Sequence, residues 1–132
     1  VDWFIDEAHL EHHSKSGDDM TTSTTDGIIY DIPIVVLANE ETISAAEMVT
    51  AFLKQYADTT IVGMKTFGKG IYQQTGLFKG GTLTYTDGYV TVGDWECYHG
   101  IGIEPDVEIP MDSTLIGTEN DIQLEKALEL VK

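Results

Sequence analysis

From Ile32 to Ala38 the chain reads IPIVVLA, a run with no charged residue. A continuous apolar, β-branched stretch of this length predicts a strand buried on both faces, as in a parallel or mixed sheet under helices. The period then changes. In NEETISAAEMVTAFLKQYA, Ala45, Met48, Val49, Phe52 and Tyr56 recur three or four residues apart, which predicts an amphipathic helix over about 44–56. TTIVG, at 59–63, predicts a second short buried strand. The order strand–helix–strand implies a right-handed crossover between parallel strands. Beyond Gly70 the segments IYQQTGLF, GTLTYTDGYVTV and WECYHG are short, aromatic and β-branched, with glycines between them. They predict antiparallel strands and hairpins. GIGIEPDVEIP reads as a strand edged by Gly and Pro. Ile122, Leu124, Ala127, Leu128 and Val131 predict a closing helix over 119–131. At the other end, residues 1–11 read as a helix end leading into a strand. Residues 12–27, rich in Ser, Thr, Asp and Gly, read as a loop or a twisted, exposed hairpin.

Composition narrows the classes. The 132 residues, 42% of them hydrophobic, suit one domain with its own core. No apolar run approaches the roughly 18 residues that span a bilayer. A formal net charge of −16 repels nucleic acid and anionic lipid, so neither is an expected partner. The lone Cys97 excludes an internal disulfide framework and fits either side of a cell membrane. The first residues, VDWFIDEAHL, lack an initiator Met and show no signal-peptide pattern, so a processed start or a fragment is expected.

Ser44-Ala45-Ala46-Glu47 begins the predicted helix as a capping box, with Ser at the N-cap and Glu at N3. The same serine, at a strand-to-helix turn, would expose its Oγ where the first helical amides point outward at the positive end of the dipole. Such amides can hold a tetrahedral oxyanion, provided a base activates the serine. Lys69, in KTFGKGIYQQ, has three readings. Gly63 to Lys69 fits the spacing of a phosphate loop, but Gly70 stands where Ser or Thr should follow, and a strand pattern replaces the required helix. A solvated turn lysine is the plain reading. The third is a base: lysine amines titrate near 10.4, and burial without a carboxylate partner favours the neutral form. Phe67, Ile71 and Tyr72 surround Lys69 with no acid, and Gly68 and Gly70 allow close backbone approach. A neutral amine could then take the serine proton, the Ser–Lys variant of the Ser–His scheme. His9, His12 and His13 fall in or beside polar sequence that reads as mobile. Their HLEHH run lacks a further spaced ligand, so no metal or other cofactor is expected. His99 reads as a hairpin residue, and Cys97 would share its strand face as a weakly supported thiol nucleophile.

Taken together, the buried strand, NEETISAAEMVTAFLKQY and IVGMKTFGKGIYQQ resemble the carboxyl-terminal processing peptidases, or tail-specific proteases. In that family a strand and an Asn-rich turn deliver a serine in a Ser-Ala-(Ser/Ala)-Glu context. A lysine follows 25 residues later in Phe-Gly-Lys-Gly, with a glutamine four beyond it. Ser44, Lys69 and Gln73 keep that spacing, and Gln74 would face the other side of its strand. The resemblance continues through GGTLTYTDGYVTVGDWECYHGIGIEPDVEIP and covers about Ile32 to Pro110. Departures are Ile43 where the family has a small residue, and Val92-Gly93 where it has Pro-x-Gly.

The resemblance implies a ClpP/crotonase-type α/β fold, a mixed sheet with packed helices, present here as one partial catalytic domain over 1–132. The family's upstream Asp-Leu-Arg-x-Asn-x-Gly-Gly motif, which supplies one oxyanion donor, is absent, as is its PDZ domain. It implies a serine endopeptidase acting near the C-termini of protein substrates, with Ser44 as nucleophile, Lys69 as base, Gln73 orienting the lysine and the Ala45 N–H as an oxyanion donor. Little activity is expected of these residues alone. The alternative is a degenerate, non-catalytic peptide-binding or scaffolding module. Location in the cell envelope or outside the cell follows from the resemblance only, and an exposed sheet edge could pair copies of the chain.

Overall fold

The computed structural model describes residues 4–5, 7–24 and 30–132. The parts of the N-terminal readings that fall on 1–3, 6 and 25–29 lie outside the described residues. Two β-branched runs pair as expected: β3 (Ile34–Ala38) and β4 (Thr59–Gly63) lie parallel, with Ile34 opposite Thr59 and Ala38 opposite Gly63. The helix α1 (Ala45–Tyr56) connects them. The short β7 (Val107–Glu108) extends this sheet in the order β3-β4-β7. The second sheet is antiparallel, ordered β2-β1-β6-β5, from β1 (Ala8–Ser14), β2 (Met20–Thr24), β5 (Ile71–Phe78) and β6 (Gly81–Val92). Ala8, Leu10, Val90 and Val92 of that sheet share one buried core with Ala38, Phe52 and Ile61. The helix α2 (Ile122–Leu130) packs on β3 and β4, and Gln123 Nε2 donates to Ile109 O at 2.7 Å. The expected mixed α/β architecture is what the chain adopts.

Four differences from the sequence reading have physical causes. β3 is an edge strand, so Leu37 stays 43% exposed rather than covered on both sides. On α1, Ala45 and Val49 face solvent, and the buried side carries Glu47, Thr50, Ala51 and Phe52. The carboxylate and hydroxyl can be buried there because both are hydrogen-bonded; Thr50 Oγ1 donates to Ala46 O at 2.9 Å. Residues 95–100 form no strand: 95–98 are irregular, and the chain then turns over 99–101, where Ile101 and Gly102 both donate to Tyr98 O. The polar 12–27 segment is no loose loop at its start: β1 runs to Ser14, paired on one side with β2 and on the other with β6 from Leu10–Val92 to Ser14–Gly88. The hairpin reading holds, and His9, His12 and His13 sit on a strand inside the sheet.

Two close approaches set the chain's path toward the end of the parallel strands. Gly63 has φ +132, and a Cβ there would overlap Ala38 O. Between β5 and β6 the register shifts: Tyr72 lies opposite Gly88 but Gln73 opposite Thr86, leaving Asp87 as an extra residue. A bulge of this kind re-aims the side chains beside it.

Candidate active site

At the end of β3 the backbone turns sharply. Asn39 Oδ1 accepts from the Glu41 N–H at 3.0 Å, and the Thr42 N–H donates to Asn39 O at 2.9 Å. Ser44 then takes φ 60 and ψ −116 as the N-cap of α1. A non-glycine residue in this region stores of the order of 1–3 kcal/mol and persists only where the surroundings over-determine it. The determinant is Glu47: the Ser44 N–H donates to its Oε2 at 2.9 Å, the carboxylate half of the capping box seen in the sequence. Ser44 is half-buried and Ala45 exposed. As the first helical residue, Ala45 has an N–H without an intrahelical acceptor.

The same carboxylate holds the lysine loop. Thr66 Oγ1 and the Gly68 N–H each donate to Glu47 Oε1 at 2.6 Å, and the Lys69 N–H donates to Oε2 at 2.7 Å. Glu47 is fully buried and accepts four bonds from two chain segments, the serine turn and the lysine loop. Burial alone would raise its pKa; the bonds from Thr66, Lys69, Gly68 and Ser44 outweigh burial and hold the carboxyl below its usual 4.5. The loop is gripped from the far side as well. Thr66 Oγ1 accepts from the Ile103 N–H at 2.8 Å, and Gly68 O accepts from the Gly100 N–H at 2.8 Å. Gly68 has φ +91, and a Cβ there would sit 2.8 Å from Gly102 N. After Gly70 the chain enters β5, not a helix, as the argument against a phosphate loop requires.

Ser44, Ala45, Lys69 and Gln73 line one cavity of about 220 Å³, together with His12 and Tyr98. Lys69 is half-buried and Gln73 exposed. Lys54 pairs with Asp106 at 2.9 Å, Lys65 with Glu104 at 2.7 Å and Lys126 with Glu129 at 3.0 Å. Among the described residues no carboxylate pairs with the Lys69 amine. Gln74 is engaged elsewhere, its Nε2 donating to Asp87 Oδ2 at 2.9 Å.

Three participants escaped the sequence reading. Glu47 was visible only as an N3 capping residue; its bonds to the lysine loop cross 19 to 22 positions of sequence and leave no local signature. His12 reaches the cavity because β1 is a strand, with its ring edge-on to Tyr72 at 5.2 Å. Tyr98 is 5% exposed, and its hydroxyl has no partner among the described residues. Burial, with the nearby charges of Glu47 and Cys97, pushes its phenol up to about 12. The remaining histidines of β1 lean on acids: His9 lies 3.5 Å from Glu7, and His13 3.4 Å from Glu11 and Asp19. His99 sits in the 98–101 turn and, with Cys97, lines a different cavity.

Comparison with known proteins places these features. The profile of peptidase family S41 matches residues 2–109. A Staphylococcus aureus (strain COL) protein named "Probable CtpA-like serine protease" is 45% identical over 80 residues, covering 60% of this chain and 16% of that protein. The photosystem II D1 C-terminal processing protease superposes with a TM-score of 0.71 at 29% identity, over 82% of this chain and 29% of the other. An S41 protease structure from Bacteroides fragilis NCTC 9343 shares the fold with a TM-score of 0.76 at 18% identity, over 97% and 38%. The chain thus spans about a sixth of the length of the curated relatives it matches.

Proposed function

The chain belongs to peptidase family S41, the family of the CtpA-like serine proteases it matches, and from that premise we propose that it carries the nucleophile and base of a carboxyl-terminal processing endopeptidase. The observation that supports this is the convergence of Ser44, Lys69 and Gln73 on one cavity, with one carboxylate gripping both the serine turn and the lysine loop.

In the proposed reaction Ser44 Oγ attacks the scissile carbonyl carbon while its proton passes to a neutral Lys69 Nζ. The carbonyl π electrons move to oxygen, and the Ala45 N–H donates to that oxyanion. Collapse expels the amine, which takes the proton from the Lys69 ammonium. Water then repeats the sequence on the acyl-serine and frees the new C-terminus. Gln73 hydrogen-bonds the lysine amine and orients it without adding charge; a carboxylate there would favour the ammonium and disable the base. Substrates are proteins cleaved near their C-termini, and the site of action is the cell envelope or beyond. A second oxyanion donor comes from outside these residues, so the isolated 132-residue chain cleaves little or nothing.

The test is cleavage of an unstructured protein by the full-length enzyme. Ser44→Ala and Lys69→Ala each lower kcat by about a thousandfold or more, the range for members of such a unit. Near-parent turnover by Lys69→Ala overturns the dyad, and robust proteolysis by the isolated chain overturns the account of the missing donor.

A further inference from the structure

The Ser44–Lys69 cavity, about 220 Å³, is smaller than one of about 740 Å³ that takes His13 and Tyr89 on the far face of the antiparallel sheet. Successive residues of a strand point to opposite faces, so β1 sends His13 to the far side and His12 to the near one. On the near face Ala8 and Leu10 precede His12, and Val92 and Val90 of β6 stand opposite Leu10 and His12. Those four apolar residues are buried in the core, and the stripe calls for another apolar side chain at position 12. The imidazole found there is half-buried. Its ring lies against Tyr72 at 5.2 Å and 74°. Among the described residues no hydrogen bond or ion pair reaches its ring nitrogens, whereas His9 and His13 lean on acids. Nothing in the proposed reaction uses His12.

A neutral amine carries two N–H donors and one lone pair, and an ammonium carries three donors. In the proposed reaction the lone pair takes the Ser44 proton, and the side-chain oxygen of Gln73 accepts one N–H. The second N–H is left over, with no carboxylate to serve it. Three further side chains of the cavity hold an acceptor atom: His12, Tyr72 and Tyr98. The Tyr98 hydroxyl is closed off inside the protein, and a phenol oxygen is a weaker acceptor than an imidazole nitrogen. The lysine amine rides on a flexible four-carbon stem, and the hydrogen bonds of catalytic groups often close only once substrate is bound. We propose that His12 is a positioning residue for the base: the lone pair of its neutral imidazole accepts the second N–H of Lys69, which leaves the amine lone pair turned toward Ser44 Oγ. That bond strengthens as Lys69 becomes an ammonium, so it favours the transition state over the resting site. Protonation of His12 removes the acceptor, sets a second cation beside Lys69 and disables the base. The titratable groups facing His12 are Lys69 from the lysine loop, Tyr72 from β5 and Tyr98. The start of α1 presents Ser44, Ala45 and Met48, β6 presents Val90, and β2 places Met20 opposite; none of these changes charge. This inference rests on the reading of Ser44 and Lys69 as nucleophile and base.

The test measures kcat, KM and urea unfolding of the full-length enzyme on an unstructured protein substrate. His12→Leu, which completes the apolar stripe, unfolds at no lower urea than the parent. Its kcat falls by about ten- to a hundredfold, as removal of one hydrogen bond to a group that becomes charged allows, while KM stays within about threefold. His12→Gln keeps an acceptor and restores most of that loss. Imidazoles ordinarily change charge between about pH 5 and 8. Through that range the parent's kcat falls with acidification more steeply than that of His12→Gln, by up to about one further power of ten per pH unit. The His12→Gln pH profile decides alone if His12→Leu does not fold. A kcat of His12→Leu within twofold of the parent overturns the inference. So does His12→Gln as impaired as His12→Leu, or an equal acid slope in parent and His12→Gln. Lys69→Ala is assayed in parallel: if it keeps cleaving, the active-site reading fails, whereas if it is dead and the His12 variants behave as the parent, only the role of His12 fails.

Discussion

Glu47→Gln replaces one oxygen with an amide nitrogen and changes almost nothing else in shape. In the parent, Oε1 accepts from Thr66 Oγ1 and the Gly68 N–H, and Oε2 from the Ser44 and Lys69 N–H groups. A glutamine must present NH₂ to one of those pairs. Facing Ser44 and Lys69, it orphans two amides. Facing Thr66 and Gly68, it lets the Thr66 hydroxyl turn and accept, but it orphans the buried Gly68 N–H. The second arrangement is cheaper. One unsatisfied buried donor costs about 1–3 kcal/mol, and the two retained bonds lose their charge assistance, about 1 kcal/mol each. The sum, about 3–5 kcal/mol, is a large part of an ordinary folding free energy. The damage falls where Ser44 and Lys69 are positioned, so kcat falls by about a hundredfold or more even well below the unfolding temperature.

The acid side supplies a second readout. Glu47 has its folded-state pKa held below 4.5, so its stabilisation is present above the unfolded value and is lost as pH falls from about 4.5 through the folded pKa. The parent therefore loses stability more steeply than Glu47→Gln on going below pH 4.5. Comparing the two cancels the other depressed carboxyls, Asp106 among them. The assay is urea unfolding of full-length parent and variant across pH 3–7, with kcat measured alongside. An unfolding free energy within about 0.5 kcal/mol of the parent, with an unchanged acid slope, would refute the view that this carboxylate holds the site together.

Three further outcomes follow from the same geometry. Ser44→Gly unfolds at higher denaturant than Ser44→Ala by about 1 kcal/mol, since only glycine relieves φ 60; equal midpoints contradict the strain. Gly68→Ala, with φ +91 and a Cβ 2.8 Å from Gly102 N, costs about 2 kcal/mol or more and lowers kcat with it, by displacing Lys69; parent-like stability and turnover in that variant would show that the loop yields freely. Tyr98→Phe removes a buried hydroxyl that has no partner among the described residues, so thermal unfolding is unchanged or rises, by up to about 1 kcal/mol; a clear loss of stability would reveal a bond to that oxygen.

What the chain determined locally is concrete. The β-branched runs at Ile34–Ala38 and Thr59–Gly63 and the capped helix between them needed only period and composition. So did the change to antiparallel strands after Gly70, because buried backbone must be paired and side-chain spacing decides how. The 25-residue interval from Ser44 to Lys69, with Gln73 four further on, singled out the residues that line the smaller cavity. The face of α1 was only partly legible. Ala45 and Val49 look like core residues and are exposed, whereas Glu47 and Thr50 look like surface residues and are buried. The reason is tertiary. A buried carboxylate is tolerable only when donors surround it, and those donors arrive from Thr66, Gly68 and Lys69, which no helical period can anticipate. The segment 95–100 likewise reads as a strand, yet it is irregular and ends in a turn, with the Gly100 N–H donating to Gly68 O. Local pattern decided which elements form and which residues were candidates for the site. Only the packing of one loop against another decided that a capping glutamate became the common anchor of the serine turn and the lysine loop.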